Sequence, residues 1–157
     1  MDSYKEYNGQ VFLFQDINTK DFEIIKSEFK EYWKKGYSPI IGADKSTYRP
    51  EPEGHRHIHM KPDEICEKWE KWSRKTPQKI KKPPTSDRGL CYFVDNKRNA
   101  YIFLYIDDGL HDFLDSIEFK NIVESSYGII YKNDIVLMNF EEQEEIFSDK
   151  WIKINLE

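Results

Sequence analysis

Three histidines stand at alternate positions in the run His55-Arg-His-Ile-His59. If that run is a β-strand, residues two apart share a face and all three imidazoles point the same way. An imidazole exchanges a proton near neutral pH or ligates a metal, so this face is where acid–base or metal chemistry belongs. The plainer alternative is a solvated edge strand whose imidazoles only make hydrogen bonds. A fourth histidine, His111, follows Asp107 and Asp108. With the alternating histidines, these residues have the donor types of a metal-dependent hydrolase. No P-loop, dinucleotide fingerprint, GxSxG or HExxH is present, which removes the common nucleotide-binding and hydrolase templates. Cys66 and Cys91 lack any metal-type spacing and read as reduced bystanders.

The histidine run must be held by elements on either side. Residues 11–14 are a short β-prone run. A helix follows, with Asn18 or Thr19 as cap, Asp21 in the first turn and Gly36 as the left-handed stop. Phe22, Ile25, Phe29, Tyr32 and Trp33 recur at helical spacing and form its core-facing stripe. Residues 37–52 carry Pro39, Gly42, Pro50 and Pro52 and read as a surface loop. After the histidine strand, Lys61-Pro-Asp-Glu64 opens a second helix, with Ile65, Trp69 and Trp72 on one face and acid–base pairs four apart on the other. Residues 75–84 are basic and irregular. Residues 90–94 and 100–106 pair as a hairpin, the second strand apolar on both faces and expected in the middle of the sheet. A third helix is expected over 115–126, then a hairpin of 129–131 with 135–138, then a short amphipathic element in the acidic end. Helices and hairpins without regular βαβ alternation predict an α+β domain with a small antiparallel sheet and flanking helices.

The chain has 157 residues, which suits one domain, with 34 % charged and 15 % aromatic residues. Its mean hydropathy is −0.81. No apolar run approaches the length of a membrane span and the start has no signal-like core, so the expected location is the cytoplasm, with no membrane partner. The net charge is −5, yet residues 45–98 hold fourteen Lys or Arg against eight Asp or Glu. A basic centre between acidic ends can contact phosphates while the remainder faces something else.

Read together, several segments resemble the YafO family of toxins from type II toxin–antitoxin modules. Phe29-Lys-Glu-Tyr-Trp-Lys-Lys-Gly36 is similar to the family's first helix ending in glycine. Pro39-Ile-Ile-Gly-Ala-Asp44 with Tyr48-Arg-Pro50 resembles its Gly, Asp, Tyr and Arg-Pro loop. His57-Ile-His-Met60 looks like its His-Ile-His-Leu strand, and Thr85-Ser-Asp87 with Leu90-Cys-Tyr-Phe93 resembles its Thr-Ser-Asp and Leu-Val-Tyr segment. His111 falls where the family has another histidine. The pieces keep the family's order over residues 22–127, within a single domain of 1–157 in which 131–157 looks like a C-terminal extension. Where members have Phe-Gly-Arg-Asp, this chain has Ile41-Gly-Ala-Asp44 and lacks the arginine.

The resemblance implies a RelE-like fold and a ribosome-dependent mRNA interferase, an endoribonuclease that cuts translated mRNA and is silenced by a cognate antitoxin. It calls for no metal or cofactor. The RNA's own 2′-hydroxyl is the nucleophile in such cleavage. A base takes its proton, a cation neutralises the phosphorane, and an acid protonates the 5′ oxygen. Carried onto this sequence, His57 or His59 is the base, and His111 or the other member of the pair is the acid. Arg49, Arg56 and Arg88 are phosphate clamps, although on a flat strand Arg56 points away from the histidines. Asp44 and Asp87 orient an imidazole or an arginine. His55 lies outside the matched pair and is expected at the surface. Alanine at position 43 favours a different reading, a non-enzymatic protein that binds an antitoxin.

Overall fold

A computed structural model describes residues 6–14, 22–46, 55–62, 67–74 and 83–153. Five strands, β1 (Val11–Leu13), β2 (Ile41–Ser46), β3 (Arg56–Met60), β4 (Gly89–Val94) and β5 (Ala100–Ile106), form one sheet in the order β1-β5-β4-β3-β2. From β2 to β5 every neighbour is antiparallel, but β1 runs parallel to β5. The sheet is therefore mixed, where an antiparallel one was expected: β1 is joined to β5 by no hairpin, so no tight turn dictates its direction. The fold is α+β.

Helix α1 (Phe22–Lys35) and the C-terminal segment cover one face of the sheet. The α1 stripe of Phe22, Ile25, Phe29, Tyr32 and Trp33 is buried there against Ile58, Leu90, Tyr92 and Ile102. Gly36, at φ 83°, ends the helix, and its N–H reaches the Tyr32 carbonyl at 2.7 Å. The proposed caps Asn18 and Thr19, and Asp21, lie outside the described residues. The other face is covered by α3 (Leu110–Leu114) and α4 (Ile117–Lys132), which bury Leu110, Phe119, Val123 and Ile130 on Cys91, Phe93 and Phe103. Ser116 caps α4 by accepting from the Phe119 N–H.

Two expectations are corrected. Residues 41–46 are strand β2, not loop, and Gly42 marks a close backbone approach within it. Residues 129–132 are the last turn of α4, not a hairpin, and residues 135–138 supply only an isolated bridge from Leu137 to Asp95. Gly128 suggests a break, but the Phe119, Val123, Ser126 and Ile130 face is buried as one stripe, and its packing outweighs the roughly 1 kcal/mol that glycine costs a helix. Strand β5, expected in the middle of the sheet, is second from one edge, since β1 adds only one strand beyond it; the central strand is β4, buried along its whole length.

Helix α2 (Glu67–Arg74) docks through two tryptophans: Trp72 Nε1 donates to the carbonyls of Ser38 and Ile41, and Trp69 Nε1 to that of Thr85. The acidic end forms α5 (Phe140–Gln143) and a 3-10 turn (Asp149–Trp151). Ile146 is buried, and the Phe147 ring packs 5.1–5.6 Å from the rings of Tyr7, Tyr32 and Trp33. No described helix is long and apolar enough to cross a membrane.

Candidate active site

Strand β3 lies between β2 and β4, and its side chains alternate across the sheet. Ile58 and Met60 enter the α1 core, and Arg56 points the same way, into a carboxylate: Asp44 accepts from Arg56 Nε at 3.0 Å, from Tyr32 Oη at 2.6 Å and from Tyr92 Oη at 2.5 Å. Asp44 and Arg56 thus satisfy one another in a buried network remote from the histidine face.

His55, His57 and His59 occupy the opposite face. His55 is fully buried, its ring 5.2–5.8 Å from the rings of Phe93, Phe103 and Phe119. This corrects the expected surface position: the run begins underneath α4, so its first imidazole is enclosed by the aromatic core. His57 and His59 follow it along the strand, also buried, with ring centroids 5.1 Å apart, and His111 lies 5.3 Å from His59 on the far side. The result is a row of three imidazoles contributed by β3 and α3.

Two residues of the segment before β4 set the row. Asp87 Oδ1 accepts from the His111 backbone N–H at 2.8 Å and contacts its Nδ1 at 2.9 Å. These contacts, the backbone one first, hold the Asp87 carboxyl below its usual pKa, so it is ionised when it orients the ring. Ser86 meets His59 through its backbone, with the carbonyl 2.7 Å and the N–H 3.2 Å from Nδ1. The shorter contact decides the tautomer: at 2.7 Å the carbonyl oxygen needs a donor, so we place the proton on Nδ1 and the lone pair on Nε2, and the Ser86 N–H then makes no hydrogen bond to the ring. That Nε2 is buried and has no hydrogen-bond partner among the described residues. Burial, reinforced by the neighbouring His59, pushes the His57 pKa down to about 4, and burial also lowers that of His59. At neutral pH both are uncharged imidazoles. His111 is the solvent-facing member, its side chain 59 % exposed.

The structure therefore brings together His57, His59, His111 and Asp87, and keeps Asp44 and Arg56 on the other face. Arg88 is also turned away, donating to Tyr105 Oη at 2.7 Å and the Lys61 carbonyl at 2.9 Å, while Asp107 accepts from the same Tyr105. Arg49 lies outside the described residues. No group of three His, Cys, Asp or Glu among the described residues could hold a metal ion.

No family model, curated protein or solved structure matches this chain.

Two contributors escaped the sequence reading. In the sequence Ser86 is legible only as part of Thr-Ser-Asp, because its contacts to His59 are made by backbone atoms. Composition puts Lys45 in a loop; in β2 it stands directly across from His57, and its charge acts on His57 and His59. The available signal was positional: a strand antiparallel to the histidine run puts one of its residues beside each imidazole. Chemically, the arrangement offers neutral imidazoles that accept a proton, beside a carboxylate-oriented imidazole that can carry one.

Proposed function

We propose that this chain is an endoribonuclease that cleaves mRNA by attack of the 2′-hydroxyl, acting on translated messages at the ribosome in the cytoplasm as the toxin of a toxin–antitoxin pair. The row of three imidazoles with Asp87 behind its outermost member is the observation that carries this reading. A neutral imidazole, His57 or His59, takes the 2′-hydroxyl proton as the 2′ oxygen bonds to phosphorus. His111, oriented by Asp87, returns a proton to the 5′ oxygen as the P–O5′ bond breaks. The products are a 2′,3′-cyclic phosphate and a 5′-hydroxyl end. The buried, unpartnered Nε2 of His59 supports the assignment, since leaving such an atom unsatisfied costs about 1–3 kcal/mol unless something binds there in the working state.

Mapping of 5′ ends after induced expression, on a reporter with and without a start codon, tests both activity and ribosome dependence. Cuts confined to the translated message are expected, and equal cutting of the untranslated one would remove the ribosome from the account. Retention of cleavage in excess EDTA separates this reading from metal-dependent hydrolysis.

A silencing antitoxin would lay an acidic or amphipathic segment over the basic region 45–98. Its association rate should then fall severalfold as salt rises from low to physiological concentration, which stopped-flow mixing can measure. The second reading, a non-enzymatic protein that binds an antitoxin, is favoured by Ala43 and by the turning of Arg56 and Arg88 away from the histidines. It predicts no growth arrest on induction in cells without antitoxin.

A further inference from the structure

A phosphodiester gains negative charge as it passes to a phosphorane, so a site that cleaves one needs a cation on the reacting face. Of the arginines expected to supply it, the two among the described residues do not face the histidines: Arg56 is paired with Asp44 beneath Tyr92, and Arg88 lies against Tyr105. The two inner imidazoles are neutral, and Asp87 brings a negative charge beside His111. A phosphate lying against the inner pair, His57 and His59, needs a positive group other than the Asp87-paired His111.

Strand β2 provides one. Lys45 is the register partner of His57, and directly opposed residues in an antiparallel pair put their side chains on the same face with Cβ atoms about 4.5–5.5 Å apart. Lys45 is exposed and makes no ion pair with a carboxylate among the described residues. The nearest carboxylate in sequence, Asp44, faces the opposite side and is occupied by Arg56, Tyr32 and Tyr92. An exposed lysine on an edge strand is commonplace and often serves only to discourage edge pairing. Lys45 differs in standing beside two uncharged imidazoles, one with its Nε2 unpartnered. A four-carbon stem lets its ammonium reach over a neighbouring ring, and an ammonium binds phosphate as a point charge without fixed geometry.

We infer that Lys45, His57 and the Nε2 edge of His59 form a subsite for a phosphate oxyanion, with the Lys45 ammonium as its cation. The identification of that phosphate as the scissile one rests on the ribonuclease reading; the subsite itself does not. Inorganic phosphate as its singly protonated dianion would lie between Lys45 and the row, accept from the ammonium, and present its one protonated oxygen to the Nε2 lone pair; a phosphodiester, which has no such proton, would accept from the ammonium and leave Nε2 to the 2′-hydroxyl.

Titration of the full chain with inorganic phosphate at constant ionic strength, followed by the imidazole 15N and 1H signals, tests the inference. Saturable shifts of His57 and His59 are expected in the wild type. Lys45→Met should weaken phosphate binding roughly tenfold, and Lys45→Arg should restore most of it. The unliganded spectrum of Lys45→Met reports whether the site remains folded. Absence of phosphate-induced shifts in the wild type, or equal affinity in Lys45→Met, would overturn the subsite. Lysine-dependent phosphate binding by a protein that cuts no RNA would sustain the subsite and overturn the ribonuclease reading. If RNA is cut, Lys45→Met should lower the cleavage rate roughly a hundredfold and Lys45→Arg by much less.

Discussion

His57 and His59 are uncharged at neutral pH because burial disfavours their protonated forms. In the unfolded chain the same rings titrate near 6.5, so below that pH the unfolded state binds protons that the folded state refuses. Both groups have depressed folded pKa values, so the folded state loses stability as pH falls below about 6.5, until the folded groups themselves protonate near pH 4 for His57. The shift at His57 alone corresponds to about 2 kcal/mol lost by pH 5. Urea midpoints at pH 7.5 and 5 should show it, and His57→Gln should flatten the difference. On the ribonuclease reading, His59→Ala and His57→Ala should each reduce RNA cleavage about a hundredfold or more while the protein stays folded. His55→Ala should instead destabilise by about 2–4 kcal/mol, since it empties a space closed by Phe93, Phe103 and Phe119. That contrast within a single run was only half legible. Alternation told that the three imidazoles share a face, but what covers each end of that face depends on α4, more than fifty residues downstream. Arg56 was legible as pointing away for the same reason the histidines were legible as pointing together.

The row of imidazoles depends on a strap without regular structure, residues 83–88, whose position is set by other elements. Ala43 N–H donates to the Pro84 carbonyl at 2.9 Å, Trp69 Nε1 to the Thr85 carbonyl at 3.1 Å, and the Ser86 hydroxyl to the Met60 carbonyl at 2.5 Å. Gly42 lets the strap lie this close: a Cβ there would fall 2.2 Å from the Pro84 oxygen and 2.7 Å from the Trp69 ring. Gly42→Ala should therefore displace the strap at a loss of only about 1–3 kcal/mol in stability and, on the ribonuclease reading, lower RNA cleavage tenfold or more. Trp69→Phe should perturb the His59 and His111 signals, whereas Trp72→Phe, which loses bonds only to Ser38 and Ile41, should leave them in place. Strand β2 was misread because Pro39 and Gly42 are loop-like by composition. The glycine accommodates a crossing chain, a reason that exists only in three dimensions. The hairpin of β4 and β5 was readable because its polar turn and β-rich runs are local. The extent of α4 was not, because the burial of Ile130 outweighs the local signal of Gly128.

At the scale of the molecule, the sheet separates a buried ionic and aromatic core on the α1 side from the imidazole row on the other. The C-terminal segment belongs to the first. Arg98, at φ 65°, lies 4.1 Å over the Trp33 ring and donates to the carbonyls of Asn8 and Ile146. Truncation after residue 139 would remove the Ile146 acceptor and the Phe147 ring, so the shortened chain should lose solubility; on the toxin reading it should lose activity with it, and a soluble truncation that arrests growth more strongly than the full chain would show the segment to be an inhibitor. The α+β class was legible from the order of runs, while the parallel placement of β1 was not, since nothing local to it specifies a partner in β5. The same closure has a consequence for the speed of folding. Tyr7 bridges Ile152, and the Lys153 N–H reaches the Glu6 carbonyl, so contacts almost a full chain length apart complete the α1 side. Such contacts are the slowest to find, because the loop they close is the longest available. The imidazole row needs none of them directly. It draws on β3, the strap and α3, which lie between positions 56 and 114. Phe147→Ala should thus accelerate unfolding far more than it slows refolding, marking the seam between the ends as the last part of the molecule to form.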